Sequence, residues 1–292
     1  MRKNKRLITR RDFIRGTVGT TLGISLMGTE WLQGSAPGGA SDVTIVRDQH
    51  VMDMNHTVDI KILEKMVAQT VMKVTGKGNS KDAWLSLVSP RDKIGLVPTP
   101  HLNPTHDELV AVVKGALTNA GVPAKNIGNA QGRNVSLDSF TALISLPGLK
   151  AHWLTGIGTV LKNYILYSGA PRDYHNQDSA KLGEIWNLPS VKGKTRLILV
   201  DALYPLCDKG PQPDPRYKWA YNGLIAGTDP VAVEAVCLKI IIAKRDAIQG
   251  EPWPLSPPPL CIEAADKVYK LGNSQLSKIK IQKFGWDKEL LV

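Results

Sequence analysis

DKIGLVPT, residues 92–99, followed after one short loop by DELVAVVKGALTNAG, residues 107–121, decides the fold. The first run is apolar and ends at Pro98 and Pro100, whose missing amides close a β-ladder, so it reads as a strand. The second carries apolar residues at helical spacing and stops at Gly121, the signature of an amphipathic helix with a C-terminal glycine. Strand, loop and helix make one βα unit, the building block of sheets covered by helices.

The same alternation extends in both directions. VTIVR (43–47) reads as a strand, and Leu63, Met66, Val67, Val71 and Val74 recur at helical spacing behind Asp59, a cap. FTALISLP (140–147) and TRLILVDA (195–202) are unbroken apolar runs of the kind that form interior strands buried on both faces. Between them a helix is expected from about Thr155 to Tyr167. DPVAVEAVCLKIIIAKR (229–245) is a helix with Asp229 at its N-cap and Pro230 in its first turn. A proline-rich loop, EPWPLSPPPL (251–260), precedes a short helix and a last strand, SKIKIQKFG (277–285). The expected fold is α/β, with a mostly parallel central sheet and helices on both faces.

The 292 residues are 42% hydrophobic and 6% aromatic, an ordinary globular composition. The net charge of +11 is unevenly spread: residues 1–40 hold seven basic groups against Asp12 and Glu30, which leaves +6 for the rest. That residue is scattered and has few aromatics beside it, which argues against nucleic-acid binding. Residues 1–40 run from a basic start through TRRDFIR (9–15) and a weakly apolar TVGTTLGISLM (17–27) to GSAPGGA (34–40). This is the layout of a twin-arginine signal peptide, with cleavage expected after Ala40. It divides the chain into a signal, 1–40, and an α/β domain, 41–292. It makes the twin-arginine translocation machinery a partner and the destination periplasmic or otherwise extracytoplasmic. That route carries folded proteins, which suits a chain that acquires a cofactor, of unspecified identity, or a redox partner before export.

Cys207, Cys237 and Cys261 form no CxxC. An iron–sulfur cluster or four-cysteine zinc site held by this chain alone is not supported; one disulfide with a spare thiol and three buried thiols both remain open.

Chemistry concentrates where the interior strands end. The first leads through Pro147 into Lys150 and His152, and the second reaches Asp201. In open parallel sheets ligands bind beyond the carboxyl ends of strands. Lys150, Lys162, Asn163 and His175 are expected to line an electropositive pocket for a carboxylate or phosphate, aided by amides of a helix starting near Thr155–Gly158. His152 and His175 titrate near neutrality and could move protons, with Asp201 or Asp229 orienting one of them or holding a metal. Asp229 also reads as a plain helix cap. His101 and His106, at the end of the 92–99 strand, are metal candidates together with His152 and His175.

LPGLKAHWLTGIGTVLKN (146–163), PRDYHN (171–176), TRLILVDALYPLCDKGP (195–211) and YNGLIAGTDPVAVEAV (221–236) resemble, in order and spacing, the DUF362 family of uncharacterised proteins. DAWLSLVSPRDKIGL (82–96) and NAGVPAKNIG (119–128) are similar to that family's N-terminal half. The resemblance implies an α/β fold and no particular reaction. It marks the residues above and adds Gly210, Pro211 and Glu234; the expected ligand-binding set is Lys162, Asn163, Gly210, Asp229 and Glu234. The chain departs from the family pattern at Val97–Thr99, where Lys and Asn are usual, and at NAQGR (129–133). The functional expectation is an exported protein, enzymatic, whose rim takes a small anionic ligand or cofactor. The alternative is a non-catalytic accessory subunit of an exported redox complex.

Overall fold

A computed structural model describes residues 39–131, 135–175 and 179–292. Residues 1–38 of the expected signal peptide lie outside the described residues. Along the chain come β1 (Ser41–Arg47), α1 (Ile60–Thr75), α2 (Ser80–Leu87), β2 (Ile94–Pro98), α3 (Asp107–Ala120), β3 (Ile127–Asn129) and β4 (Ala142–Leu146). There follow β5 (Gly148–His152), β6 (Gly156–Ile157), α4 (Leu182–Trp186), β7 (Thr195–Leu206), β8 (Gly223–Gly227), α5 (Pro230–Gln249), α6 (Leu260–Lys267) and β9 (Ile279–Gly285).

The strands form one mixed sheet in the order β3-β2-β4-β7-β8-β1-β9, with β5 continuing beside β7 past the end of β4, and β6 hairpinned onto β5. Pairings β2–β3, β2–β4, β4–β7, β5–β7 and β1–β9 are parallel; β8 is antiparallel to β7 and β1, and β6 to β5. The apolar runs explain this core position. On β2, Val97 faces one core and Ile94 and Leu96 the other; on β7, Ile198 and Val200 oppose Leu197 and Leu199. Alternate side chains leave opposite faces of a strand, so an unbroken apolar run demands cover on both sides. α1, α2 and α3 cover one face through Leu63, Val67, Trp84, Leu109 and Val113; α4, α5 and α6 cover the other through Ile185, Val236, Ile240 and Cys261. Each such side chain, fully buried, contributes about 1.5–3 kcal/mol.

Local signals set the helix ends. Asp59 Oδ1 accepts the Ile62 amide at the start of α1, and Asp229 Oδ1 accepts those of Val231 and Ala232 at the start of α5. All three cysteines are buried free thiols, which settles the alternative left open by their spacing. Among the described residues no helix is long and apolar enough to cross a membrane.

Two expectations are corrected. The segment from Thr155 to Tyr167 is not a helix: it is the β6 hairpin strand, a series of turns, and a short 3-10 turn at Ile165–Tyr167. Gly156 turns the hairpin at φ +73°, and a Cβ there would meet the Pro257 carbonyl oxygen at 2.7 Å, so glycine is required on both counts. The anion-binding helix N-terminus expected near Thr155–Gly158 is therefore absent. Asp201 also does not end its strand, since β7 continues to Leu206.

Candidate functional site

The connections after β2 and β4 diverge. α3 follows β2 onto one face, while the chain after β4 supplies Val160, Leu161 and Tyr164 to the core of the other. Between two strands whose connections part in this way a crevice opens at their carboxyl ends, the usual ligand position in such sheets. Asn163 bridges this gap, its amide nitrogen donating to the Val97 carbonyl at 2.7 Å and to Ser145 Oγ at 3.0 Å. Thr99 Oγ1 donates to Asn163 Oδ1 and accepts the Gly148 amide. Asn163, expected to touch ligand, thus ties the two strand ends together, and Thr99, one of the departures from the family pattern, is part of that tie.

A buried carboxyl group holds the turn that presents Lys162. Glu234 on α5 is fully buried, and its Oε2 accepts the Val160 amide at 2.6 Å. Burial pushes its carboxyl up to about 8, against the pull of the Thr159, Val160 and Leu161 amides. Its Oε1 has no partner among the described residues. The carboxyl oxygen therefore satisfies a turn amide that no helical hydrogen bond takes. Glu234, placed in the ligand-binding set by the family resemblance, is thus fully buried and bonded to the backbone of this turn.

Lys150, His152, Lys162 and His175 come together. On β5, Leu149 and Ala151 enter the core, which leaves Lys150 and His152 on the opposite side. Lys150 Nζ donates to the carbonyls of Leu102 and Asn103 at 3.0 and 3.2 Å. The imidazoles of His152 and His175 stack at 5.6 Å between centroids. Burial, then the charge of Lys162, lowers the Lys150 ammonium to about 7. Burial alone lowers Lys162 to about 8. His152 is driven to about 2 by burial, then by Lys162, His175 and Lys150. Burial and Lys162 also lower His175, against its bond to the Pro171 carbonyl. Among the described residues no carboxylate is ion-paired or hydrogen-bonded to any of the four.

The two imidazoles are not equivalent. His152 Nδ1 accepts the Leu154 amide at 3.1 Å, which puts its proton on Nε2 and keeps it a neutral donor. His175 Nδ1 lies 2.9 Å from the Pro171 carbonyl, to which it can only donate, so its Nε2 is the basic nitrogen. Of the pair, His175 is the one equipped to take up a proton.

Asp201 does not join them, which corrects the expectation that it orients His152 or His175. Its Oδ2 accepts both the backbone amide and the Nδ1 proton of His106, each at 2.7 Å, and its Oδ1 accepts the Leu203 amide. Burial alone would raise the Asp201 carboxyl; His106 and the amides outweigh it and hold the group below the usual carboxylate range. His106 responds in kind: burial opposes its charge, but Asp201 and then Glu108 raise its pKa, with Lys218 pulling the other way. This pair lines a cavity of about 540 Å³, together with Gly148, Tyr204 and Lys218. Lys150, His152, Lys162 and His175 do not line that cavity; the 99–106 segment, whose carbonyls hold Lys150, borders both places. Sequence reasoning placed His106 only as a metal candidate and passed over Tyr204 and Lys218. The readable signal was the position of His106 beside α3, at the carboxyl end of β2.

The remaining candidates are structural. Asp229 caps α5 with one oxygen and takes the Ser41 hydroxyl and the Asn273 amide with the other, at 2.6 and 2.9 Å, so the plain cap is the role observed. Gly210 packs against the Ala151 carbonyl, where a side chain would collide, and its own carbonyl accepts the Trp153 amide at 2.8 Å, seating the 207–217 loop on β5. His101 is exposed. Among the described residues no three His, Cys, Asp or Glu side chains converge as metal ligands, so the four-histidine metal site is not formed.

No curated protein and no solved structure matches the chain. A family model does: residues 120–239 match the one described as a domain of unknown function, DUF362. That span holds Lys150, His152, Lys162 and His175 with Asp201 and Glu234, so the part of the chain similar to DUF362 is the part that builds the cationic cluster.

Proposed function

We propose that this protein binds a small anionic ligand or cofactor between Lys150, His152, Lys162 and His175, and acts on it as an exported enzyme. The observation that carries the reading is the gathering of four nitrogen bases, three of them held well below their usual pKa, with no described carboxylate to balance them. Desolvated like charges cost free energy in the empty protein, and each pKa unit corresponds to about 1.4 kcal/mol. An anion among them would return that cost as binding. Lys150 and Lys162 would neutralise its charge, His152 would donate from Nε2, and His175 Nε2 would exchange a proton with it. Export rests on the twin-arginine layout of residues 1–40.

Thermal melts in sulfate, phosphate and small dicarboxylates test the reading. An anion at one hundred times its dissociation constant adds about 2.7 kcal/mol, or roughly 5–10 °C for a domain of this size. Lys162→Met should abolish the gain while leaving the anion-free protein folded. An equal gain in the variant would dismiss the site. A fixed co-purifying protein together with no response to any anion would favour the accessory-subunit alternative.

A further inference from the structure

The cavity beside His106 is separate from the cationic cluster, and its chemistry is of another kind. His106 lies between β2 and α3, and Asp201 on β7, 95 positions later in the sequence, is brought to it by the pairing of β7 with β4 and β5. An ionised carboxylate can only accept, so the 2.7 Å contact fixes the His106 proton on Nδ1. In the neutral ring this leaves Nε2 as a lone-pair base, with no hydrogen-bond partner among the described residues, on a side chain that lines the cavity. Asp201 is 3% exposed and also takes two backbone amides, so it cannot swing away. Lys218 lines the same cavity with its Nζ 4.3 Å from the centre of the Tyr204 ring and no carboxylate hydrogen-bonded to it among the described residues. A base with a fixed tautomer, an ammonium and a cavity of about 540 Å³ thus meet at the point where the connections of β2 and β4 diverge.

We propose that this cavity is a proton-transfer site for a small organic acid, with His106 Nε2 removing a proton from the bound molecule, Asp201 positioning the ring and Lys218 holding the anionic group. The step balances within the site. The C–H or O–H bond of the ligand breaks, the proton joins Nε2, and the electron pair stays on the ligand as negative charge facing the Lys218 ammonium. The imidazolium formed is stabilised by Asp201, and return of the proton to the ligand restores the base without any oxidant or reductant. Asp201 touches no ligand in this scheme and is a positioning residue. The groups that set the proton affinity of His106 are Asp201 from β7, Glu108 from α3 and Lys218 from the loop before β8.

Nitrogen-15 NMR of histidine-labelled protein, with malonate as the probe, tests the proposal. His106, assigned through His106→Gln, should show the Nδ1–H tautomer and titrate above an ordinary histidine, and malonate should shift its Nε2 resonance. Lys218→Met should weaken malonate by about tenfold or more, the loss of one charged contact, with the tautomer unchanged. Asp201→Asn should bring the titration down and scramble the tautomer. Lys162→Met should leave the malonate response of His106 intact. An Nε2–H tautomer, or a malonate response undiminished in Lys218→Met, overturns the proposal. Malonate binding that is lost in Lys162→Met and kept in Lys218→Met overturns it too, while leaving the cationic-cluster reading standing.

Discussion

At the scale of single residues, the decisive fact is that Lys150 and Lys162 are both desolvated, with the charge of Lys162 acting on Lys150 as well. Lys162 titrates at about 8 in the folded chain against 10.5 for an ordinary lysine. The folded state then binds fewer protons than the unfolded state between those values, so stability rises with pH across that window and the full cost is felt below it. Lys162→Met should accordingly exceed the parent in stability by roughly 1–3 kcal/mol at pH 7, and the difference should close by pH 10.5. Guanidinium unfolding of both proteins at the two pH values reads this directly, and the comparison cancels the thiols and tyrosines that titrate in the same range. Removing Lys162 should also let His175 titrate closer to an ordinary histidine, because Lys162 is one of the charges holding it down. The sequence showed which residues these are but not who pairs with whom. Asp201 and His106 are brought together by sheet register alone, which no local spacing encodes.

At the scale of elements, the interior strands were legible because burial on both faces writes an unbroken apolar run, as in β4 and β7. The turn segment after β6 was not. Val160, Leu161, Tyr164 and Ile165 imitate the spacing of a helix face, yet Gly156 turns the chain and the Val160 amide is taken by Glu234, seventy-four residues away, in place of a helical cap. β8 went unread because its five residues begin and end in glycine and carry too little pattern to separate from a loop. The Glu234 tie has a pH signature of its own. Its folded pKa is raised from 4.5 to about 8, so the stability it contributes is complete below 4.5 and is lost as pH rises through 8. Relative to the parent, Glu234→Gln should gain roughly 2–4 kcal/mol as the pH is taken from 4.5 to 9, measured by urea denaturation. A flat difference would mean that the carboxyl is not held protonated. Gly156→Ala should cost about 1–3 kcal/mol at any pH, since strain and the Pro257 contact do not titrate.

At the scale of the whole molecule, the fold class followed from the alternation of strands and helices, and the two helical layers from the doubly buried strands. The mixed character of the sheet did not follow, because β8 runs against both neighbours. Replacing Arg10 and Arg11 with lysines should retain the protein on the cytoplasmic side, checked by cell fractionation, if residues 1–40 address it as their sequence suggests. The central claim is that the cluster of Lys150, His152, Lys162 and His175 takes an anion and is short of protons. Isothermal calorimetry of sulfate binding at pH 7.5, in two buffers of different ionisation heat, measures it most directly, because sulfate itself does not titrate there. Binding accompanied by net proton uptake, absent from Lys162→Met, is the predicted result; binding with no proton uptake, or equal binding by the variant, would contradict it.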